Sequence, residues 1–319
     1  MRDSKRENLL ALLAYLVLAV VMTWPLIARL GTHVPMGNAD VWLNYWNLWW
    51  WKVSLLGGQS PYRSDMIFFP TGAPLGLHTH SPANMIWTLP INALFGLGPA
   101  LNLAVFAGFV LAGFGGFLLA REYTRGVLPA FLGGIACAYF PQHVDQATEH
   151  LNLASYWAMP FFVWALVRCI RYGGRIWWLG TGLFFALNAL FAWHNALLSI
   201  PLGIGVEIFE IWRGPRPVSR VAADLARAAG VAGLLVTPFF WPVIRDSLAE
   251  AATVQKRFYH KPIDPLTMLL PHSGHPLWGS RLTDIHLELR SYRSVGGVGY
   301  LGLVTVLLSI CALVSRSPG

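Results

Sequence analysis

The segment PALNLAVFAGFVLAGFGGFLLA, residues 99–120, decides the fold class because it is almost wholly apolar and carries no charged residue. A helix needs about 20 such residues to cross a hydrocarbon core about 30 Å thick. Hydrophobic residues make up 55% of the chain and charged residues 12%, with a mean hydropathy of +0.51. Soluble domains carry about 25% charged residues. The composition therefore predicts an all-α, polytopic integral membrane protein.

Further apolar segments of similar length predict about eight transmembrane helices within one membrane domain covering residues 1–319. The length of the first apolar segment, and Trp24–Pro25 where small residues would precede a cleavage site, favour a retained span over a cleaved leader. The predicted spans are Leu9–Ala28, Pro99–Ala120, Leu128–Phe140, Leu151–Val167, Trp177–Trp193, Ala196–Trp212, Ala228–Ile244 and Gly297–Val314.

Basic residues between the spans predict the topology. With a cytoplasmic N-terminus, every second connection is rich in arginine, whereas the turns Pro141–His150 and His194–Asn195 contain no Lys or Arg. This is the positive-inside pattern. It places both termini in the cytoplasm and the loops 29–84, 141–150 and 245–296 on the periplasmic or extracellular face of the cell membrane. The net charge of +8 is then a topology signal, and we expect no nucleic-acid partner, which would need one basic face.

The first outer loop contains NADVWLNYWNLWWWK, residues 38–52. On a helix, Asp40, Asn44 and Asn47 share one polar stripe, and aromatic residues cover most of the remainder. Such a helix is typical of the headgroup layer of a membrane, where indole rings are favourable. Its stripe is expected to face a protein cavity. Asp40 at the leading end has two compatible interpretations, a helix cap and a chemical group.

The second outer loop contains YFPQHVDQATEHLN, residues 139–152, which brings together His143, Asp145, Glu149 and His150. Polar groups near a membrane surface are expensive unless they face a cavity, a partner or water. Asp145 and Glu149 are four residues apart and could bind a hard cation or position a substrate hydroxyl. The alternative is a solvated turn above the headgroups.

Two further groups are candidates for binding. His78 and His80 point the same way in an extended segment, which would suit a metal ion or a phosphate, although loop histidines are more often solvated or hydrogen-bonded. Lys256, Arg257 and Lys261 in the last outer loop could neutralise a lipid-linked phosphate; contact with anionic headgroups is the alternative. The three cysteines show no spacing typical of a disulfide or metal site.

The order of these segments resembles a known family of membrane enzymes. The chain runs from GNADVWLNYWNLWWWK through FFPTGAPLGLHTHSP and YFPQHVDQATEHLNL to DPLTMLLPHSGHPLWG and GYLG. In these motifs and in the order of its loops, the chain resembles the bacterial membrane proteins of the GT-C glycosyltransferase superfamily over most of its length. Many relatives continue with more spans and a soluble domain, so we expect a short or truncated member.

The resemblance implies transfer of a sugar from a polyprenyl-phosphate-linked donor to a glycan, lipid or protein acceptor on the outer face. Asp40 matches the family's catalytic acid, and Asp145 and Glu149 occupy the place of its second-loop acids. No DD, DE or DxD pair is present, so a divalent metal (Mg²⁺ or Mn²⁺) on Asp40, Asp145 and Glu149 stays open. Arg63, Lys256, Arg257 and Lys261, with His78 and His80 behind them, become candidate phosphate contacts.

Two other functions share the same features. A transporter or flippase for lipid-linked saccharide would use the same aromatic loops, although scarce intramembrane charge and the lack of a detectable repeat argue against it. A non-catalytic accessory subunit, with loops that bind a partner or a glycolipid, is the third interpretation.

Overall fold

The described residues are mostly helical (76%). The computed structural model describes residues 2–35, 40–214, 216–251, 269–271, 278–288, 306–307 and 310–311. Its helices are α1 (Arg2–Met22), α2 (Asp40–Leu56), α3 (Pro82–Trp87), α4 (Leu89–Phe95), α5 (Leu97–Ala120), α6 (Val127–Ala138), α7 (Pro141–Gln146), α8 (Leu151–Ala154), α9 (Ala158–Tyr172), α10 (Arg175–Phe191), α11 (Trp193–Arg213), α12 (Val218–Ala251) and α13 (Gly279–Glu288).

Four segments among the described residues are long and apolar enough to cross a membrane, judged by length and composition. They are Leu97–Ala120, Leu151–Tyr172, Trp193–Arg213 and Val218–Leu248. The second is interrupted, because α8 ends at Ala154 and α9 begins at Ala158. These four overlap four of the predicted spans, so that part of the sequence interpretation agrees with the structure.

The predicted count of eight spans is not confirmed. The predicted span Leu9–Ala28 is helical only to Met22, followed by a 3-10 helix at Leu26–Arg29. Helices α6 and α10 have 12 and 17 residues. At 1.5 Å per residue they are about 18 and 26 Å long, short of a full hydrocarbon core. The eighth predicted span, Gly297–Val314, falls almost entirely outside the described residues.

Small residues let the first helices pack closely. Helix α5 packs on α1, α6 and α9, and a Cβ at Gly113 or Gly134 would overlap the ring of Tyr15. The Tyr15 hydroxyl donates a hydrogen bond of 2.8 Å to the Phe131 carbonyl oxygen. Close approach at small residues is how helices associate without large apolar side chains between them.

The described chain forms two compact units. The first covers residues 1–138 and 147–255, and the second covers residues 139–146 and 256–319, including α7 and α13. In the first unit, a core of apolar side chains from α9 surrounds Val221 of α12. The segment between α2 and α3 forms a two-stranded antiparallel sheet, β1 (Arg63–Ser64) with β2 (Ala73–Pro74), in which Arg63 pairs with Pro74.

Candidate functional site

Helix α2 is the scaffold of the site. It begins at Asp40 and buries Asn44 and Asn47 completely, while Trp42 on another face is half exposed. The Asn47 amide donates to the Thr79 carbonyl oxygen at 2.7 Å. The stripe that the sequence predicts therefore faces protein over Asn44 and Asn47, and it leaves Asp40 at the open end of the helix.

Asp40 meets the second predicted outer loop. Its Oδ2 atom lies 2.9 Å from Nε2 of His150, and the other ring nitrogen of His150, Nδ1, lies 3.7 Å from Oε2 of Glu149. The Asp40 side chain is 47% exposed, whereas those of His150 and Glu149 are each 17% exposed. The structure thus brings together three residues predicted for the site, from segments separated by about 110 positions.

The geometry assigns the proton between Asp40 and His150. A carboxylate can only accept hydrogen bonds, so with Asp40 ionised the 2.9 Å contact requires the proton on Nε2 of His150. The opposite nitrogen, Nδ1, is buried, and Oε2 of Glu149 lies 3.7 Å from it. The hydrogen bond to Asp40 therefore sets the tautomer and the orientation of the ring. Asp40 also lies at the N-terminus of α2, where the helix dipole favours negative charge.

No protein-family model matches this sequence, and no curated protein matches it.

Backbone hydrogen bonds and a side-chain bond of Ser155 position the segment that begins at His150. Its carbonyl oxygen accepts the backbone N–H groups of Leu153 and Ala154 at 3.0 and 2.9 Å and so begins α8. One turn later, the hydroxyl of Ser155 accepts a hydrogen bond of 2.8 Å from the buried amide of Asn84 on α3. The segment that follows His150 is therefore tied to α3 by the hydrogen bond between Asn84 and Ser155, a contact that sequence reasoning missed.

His78 and His80, in the loop before α3, contact α2 further along the helix, at Asn47 and Trp51. Nε2 of His78 lies 2.8 Å from Oδ1 of Asn47, and Nδ1 of His80 accepts a bond of 3.0 Å from the Trp51 indole. Burial lowers the pKa of His78. Burial and the nearby His78 lower the pKa of His80 to about 3. His80 is consequently neutral at neutral pH and has no positive charge to offer a phosphate.

The other predicted site residues are distributed elsewhere. Arg63 is exposed on β1, where its guanidinium donates to the Thr71 carbonyl oxygen at 3.2 Å. His143 and Asp145 lie on α7 in the second compact unit. Lys256, Arg257 and Lys261 lie outside the described residues, so their predicted phosphate contacts stay predictions.

Among the described residues, no group of three or more His, Cys, Asp or Glu side chains is arranged to hold a metal ion. One Asp40 oxygen, Oδ2, lies 2.9 Å from Nε2 of His150. No step below depends on a metal ion. The metal role predicted for Asp40, Asp145 and Glu149 stays a prediction.

Sequence reasoning also missed Asp246 near the end of α12. This buried carboxylate accepts the backbone N–H of Gly76 at 2.7 Å and the Nε–H of Arg245 at 2.8 Å. A Cβ at Gly76 would overlap the carboxylate and the Pro242 carbonyl oxygen, so glycine is required there. This contact holds the loop that carries His78 against α12. A glycine beside a histidine-rich segment gives no sequence signal of such a partner.

A second polar cluster lies where the arginines used to predict topology occur. Glu210 accepts two hydrogen bonds from Arg171, at 2.6 and 2.9 Å, and one of 2.7 Å from the Tyr123 hydroxyl. Glu122 accepts a bond of 2.6 Å from Arg168. The expectation of scarce charge inside the spans overlooked Glu210, which lies within the predicted span Ala196–Trp212. An acid inside an apolar helix was the available signal.

Proposed function

We propose that this protein is a multi-pass membrane glycosyltransferase that transfers a sugar from a polyprenyl-phosphate-linked donor to an acceptor hydroxyl. The observation that supports it best is the contact of Asp40 with His150, at the exposed end of an otherwise buried polar stripe. A half-exposed carboxylate held by an oriented imidazole is the arrangement expected of a general base.

Asp40, rather than His150, takes the role of base. Nε2 of His150 contacts Asp40 at 2.9 Å, and Nδ1 is buried with Oε2 of Glu149 3.7 Å away, so neither ring nitrogen is open to a substrate hydroxyl. The Asp40 carboxylate is the most exposed of the three groups. His150 acts as a positioning residue, because its Nε2 contact fixes the Asp40 carboxylate.

In the proposed step, the acceptor hydroxyl gives its proton to Asp40 while its oxygen attacks the anomeric carbon of the donor. The bond between that carbon and the phosphate oxygen breaks, and the lipid phosphate leaves with the electron pair. One displacement inverts the anomeric centre. The leaving phosphate needs cationic stabilisation, and the sequence offers Arg63, Lys256, Arg257 and Lys261 as separate candidates for it.

We further propose eight spans, cytoplasmic termini, and the site on the periplasmic or extracellular face, with α2 in the headgroup layer. Support comes from the four apolar helices, the half-exposed Trp42 and the arginines in alternate connections. Trp87 and Trp157 line an apolar cavity of about 480 Å³. Trp157 follows His150 by one short helix, so this cavity is suited to the apolar chain of the donor.

The experiment is sugar release from a panel of radiolabelled polyprenyl-phosphate donors by the purified full chain in nanodiscs. Transfer of the labelled sugar to water and transfer to an added acceptor are both scored as activity. Asp40→Asn is expected to reduce kcat at least about 100-fold, the lower range for loss of a general base. Asp65→Asn, an exposed aspartate of the same loop, is the matched control and should keep full activity.

His150 is tested by two variants. His150→Phe should lower kcat with little change in KM, because it releases the Asp40 carboxylate without removing a substrate contact. His150→Gln keeps an N–H donor and should restore part of the loss. Full activity of a folded Asp40→Asn variant would refute the base assignment. An inactive wild type that moves intact lipid-linked saccharide across liposomes would instead indicate a transporter, and co-purification with an active partner would indicate an accessory subunit.

A further inference from the structure

A second cavity, of about 590 Å³, lies between α9, α10, α11 and α12 in the first compact unit. Its wall is almost entirely apolar, and small residues such as Gly203, Ala228 and Ala232 leave the space open. The volume lies in the range of cavities that bind small organic molecules. It is lined by different residues from the cavity beside Trp157.

One acidic residue, Glu207 of α11, lines this apolar cavity. Within the described part of the chain, no hydrogen bond or ion pair reaches its carboxyl group. The neighbouring acids differ in this respect. Glu210, one turn further on, is bound by Arg171, and Asp224 is bound by Arg216 at 2.8 Å.

The basic side chains nearest in sequence are already engaged. Arg216 donates to backbone carbonyl oxygens of α9 as well as to Asp224. The Arg213 guanidinium lies over the Phe209 ring at 5.1 Å from its centroid. A carboxylate in apolar surroundings is costly unless a cation or donor pairs with it. The described residues supply none to Glu207, so a bound molecule is a suitable source.

We propose that this cavity binds a membrane-soluble amine, with an apolar body against the cavity wall and a protonated nitrogen on the Glu207 carboxylate. The hydroxyl oxygens of Thr181 and Ser199 also line the cavity and can accept further N–H bonds. A zwitterionic phospholipid fits less well, because its phosphate would approach the same carboxylate. This site is separate from the glycosyl-transfer site, and its test does not depend on that activity.

The test measures equilibrium binding of radiolabelled dodecylamine to the full chain in phosphatidylcholine nanodiscs, after subtraction of binding to empty nanodiscs. Dodecanol, with the same chain but no charge, is the matched probe. Glu207→Gln keeps the shape of the side chain and removes its charge. We expect saturable amine binding that weakens at least about tenfold in Glu207→Gln, as for loss of one charge-assisted hydrogen bond. Dodecanol binding should be weaker and unchanged.

A second pair of variants tests occupancy of the cavity without touching the carboxylate. Gly233 lines the cavity, Gly230 on the same helix does not, and a Cβ at either would meet no atom within 4 Å. Gly233→Leu should abolish amine binding, and Gly230→Leu should preserve it. Equal amine binding by wild type and Glu207→Gln would overturn the proposal, since the cavity would then accept any alkyl chain. Retained binding in Gly233→Leu would also overturn it.

Discussion

Replacement of His80 by glutamine should change how the stability of the protein depends on pH. His80 is 9% exposed, and its Nδ1 accepts a hydrogen bond from Trp51. Its ring also lies edge-on to Tyr62, with the centroids 5.3 Å apart. Burial and the nearby His78 lower the pKa of His80 to about 3. Protonation of His80 in the folded state is therefore opposed by its surroundings, whereas the unfolded chain binds the proton near pH 6.5.

The direction follows from proton linkage. Because the folded pKa lies below the unfolded one, the unfolded chain binds more protons between about pH 3 and 6.5. The contribution to stability is complete above about pH 6.5 and decreases as the pH falls through this window. The loss from His80 alone is about 1 kcal/mol at pH 5.5 and about 3 kcal/mol at pH 4.5. The lowered pKa of His78 acts in the same direction.

The assay is the free energy of unfolding in mixed micelles at several pH values between 4.5 and 7.5, for wild type and His80→Gln. Carboxylates titrate in both proteins, so the difference between the two curves isolates His80. The variant should be less stable at pH 7.5, because it loses the ring contacts, yet its stability should decrease less on acidification. His194→Gln, at an exposed histidine, is the control. Parallel curves for wild type and His80→Gln would refute the burial argument.

Two further perturbations test the contacts that sequence reasoning missed. Arg171→Met leaves the buried Glu210 carboxylate without its main partner and should lower the free energy of unfolding by about 3–5 kcal/mol. The double variant with Glu210→Met should recover most of that loss. Arg125→Met, at an exposed arginine, is the control. Equal destabilisation by the single and double variants would contradict this account. Gly76→Ala places a methyl group against a carboxylate oxygen of α12 and should lower stability by about 1–3 kcal/mol, whereas Gly31→Ala, where a Cβ meets no atom within 4 Å, should have little effect. Thermal unfolding of the five variants and of wild type decides both.

Element positions were largely predictable from apolar periodicity and length. The predicted spans Pro99–Ala120 and Ala196–Trp212 lie close to α5 and α11. The errors fall where the chain changes conformation without losing apolar character. Residues 23–28 continue the apolar run, yet α1 ends at Met22. Composition predicts burial or membrane insertion but does not locate the backbone break inside an apolar segment.

The candidate site was predicted in part. The sequence alone gave Asp40 at the end of a polar stripe, and the helical period of 3.6 residues explains why Asn44 and Asn47 share its face. Glu149 and His150 were recognised as polar groups in an apolar context. The contact of His150 with Asp40 was not derivable, because it joins segments about 110 positions apart in the chain.

The sequence by itself determined the class of the protein, a mostly helical chain with helices apolar enough to cross a membrane, and it determined which residues carry titratable chemistry. These properties follow from local composition and period. Only the tertiary structure decided which groups are charged partners and which are neutral. Glu210 is paired, Glu207 lines an apolar cavity, and His80 is an uncharged acceptor. The protonation and pairing of such groups depend on desolvation and on neighbours distant in the chain, which no local pattern specifies.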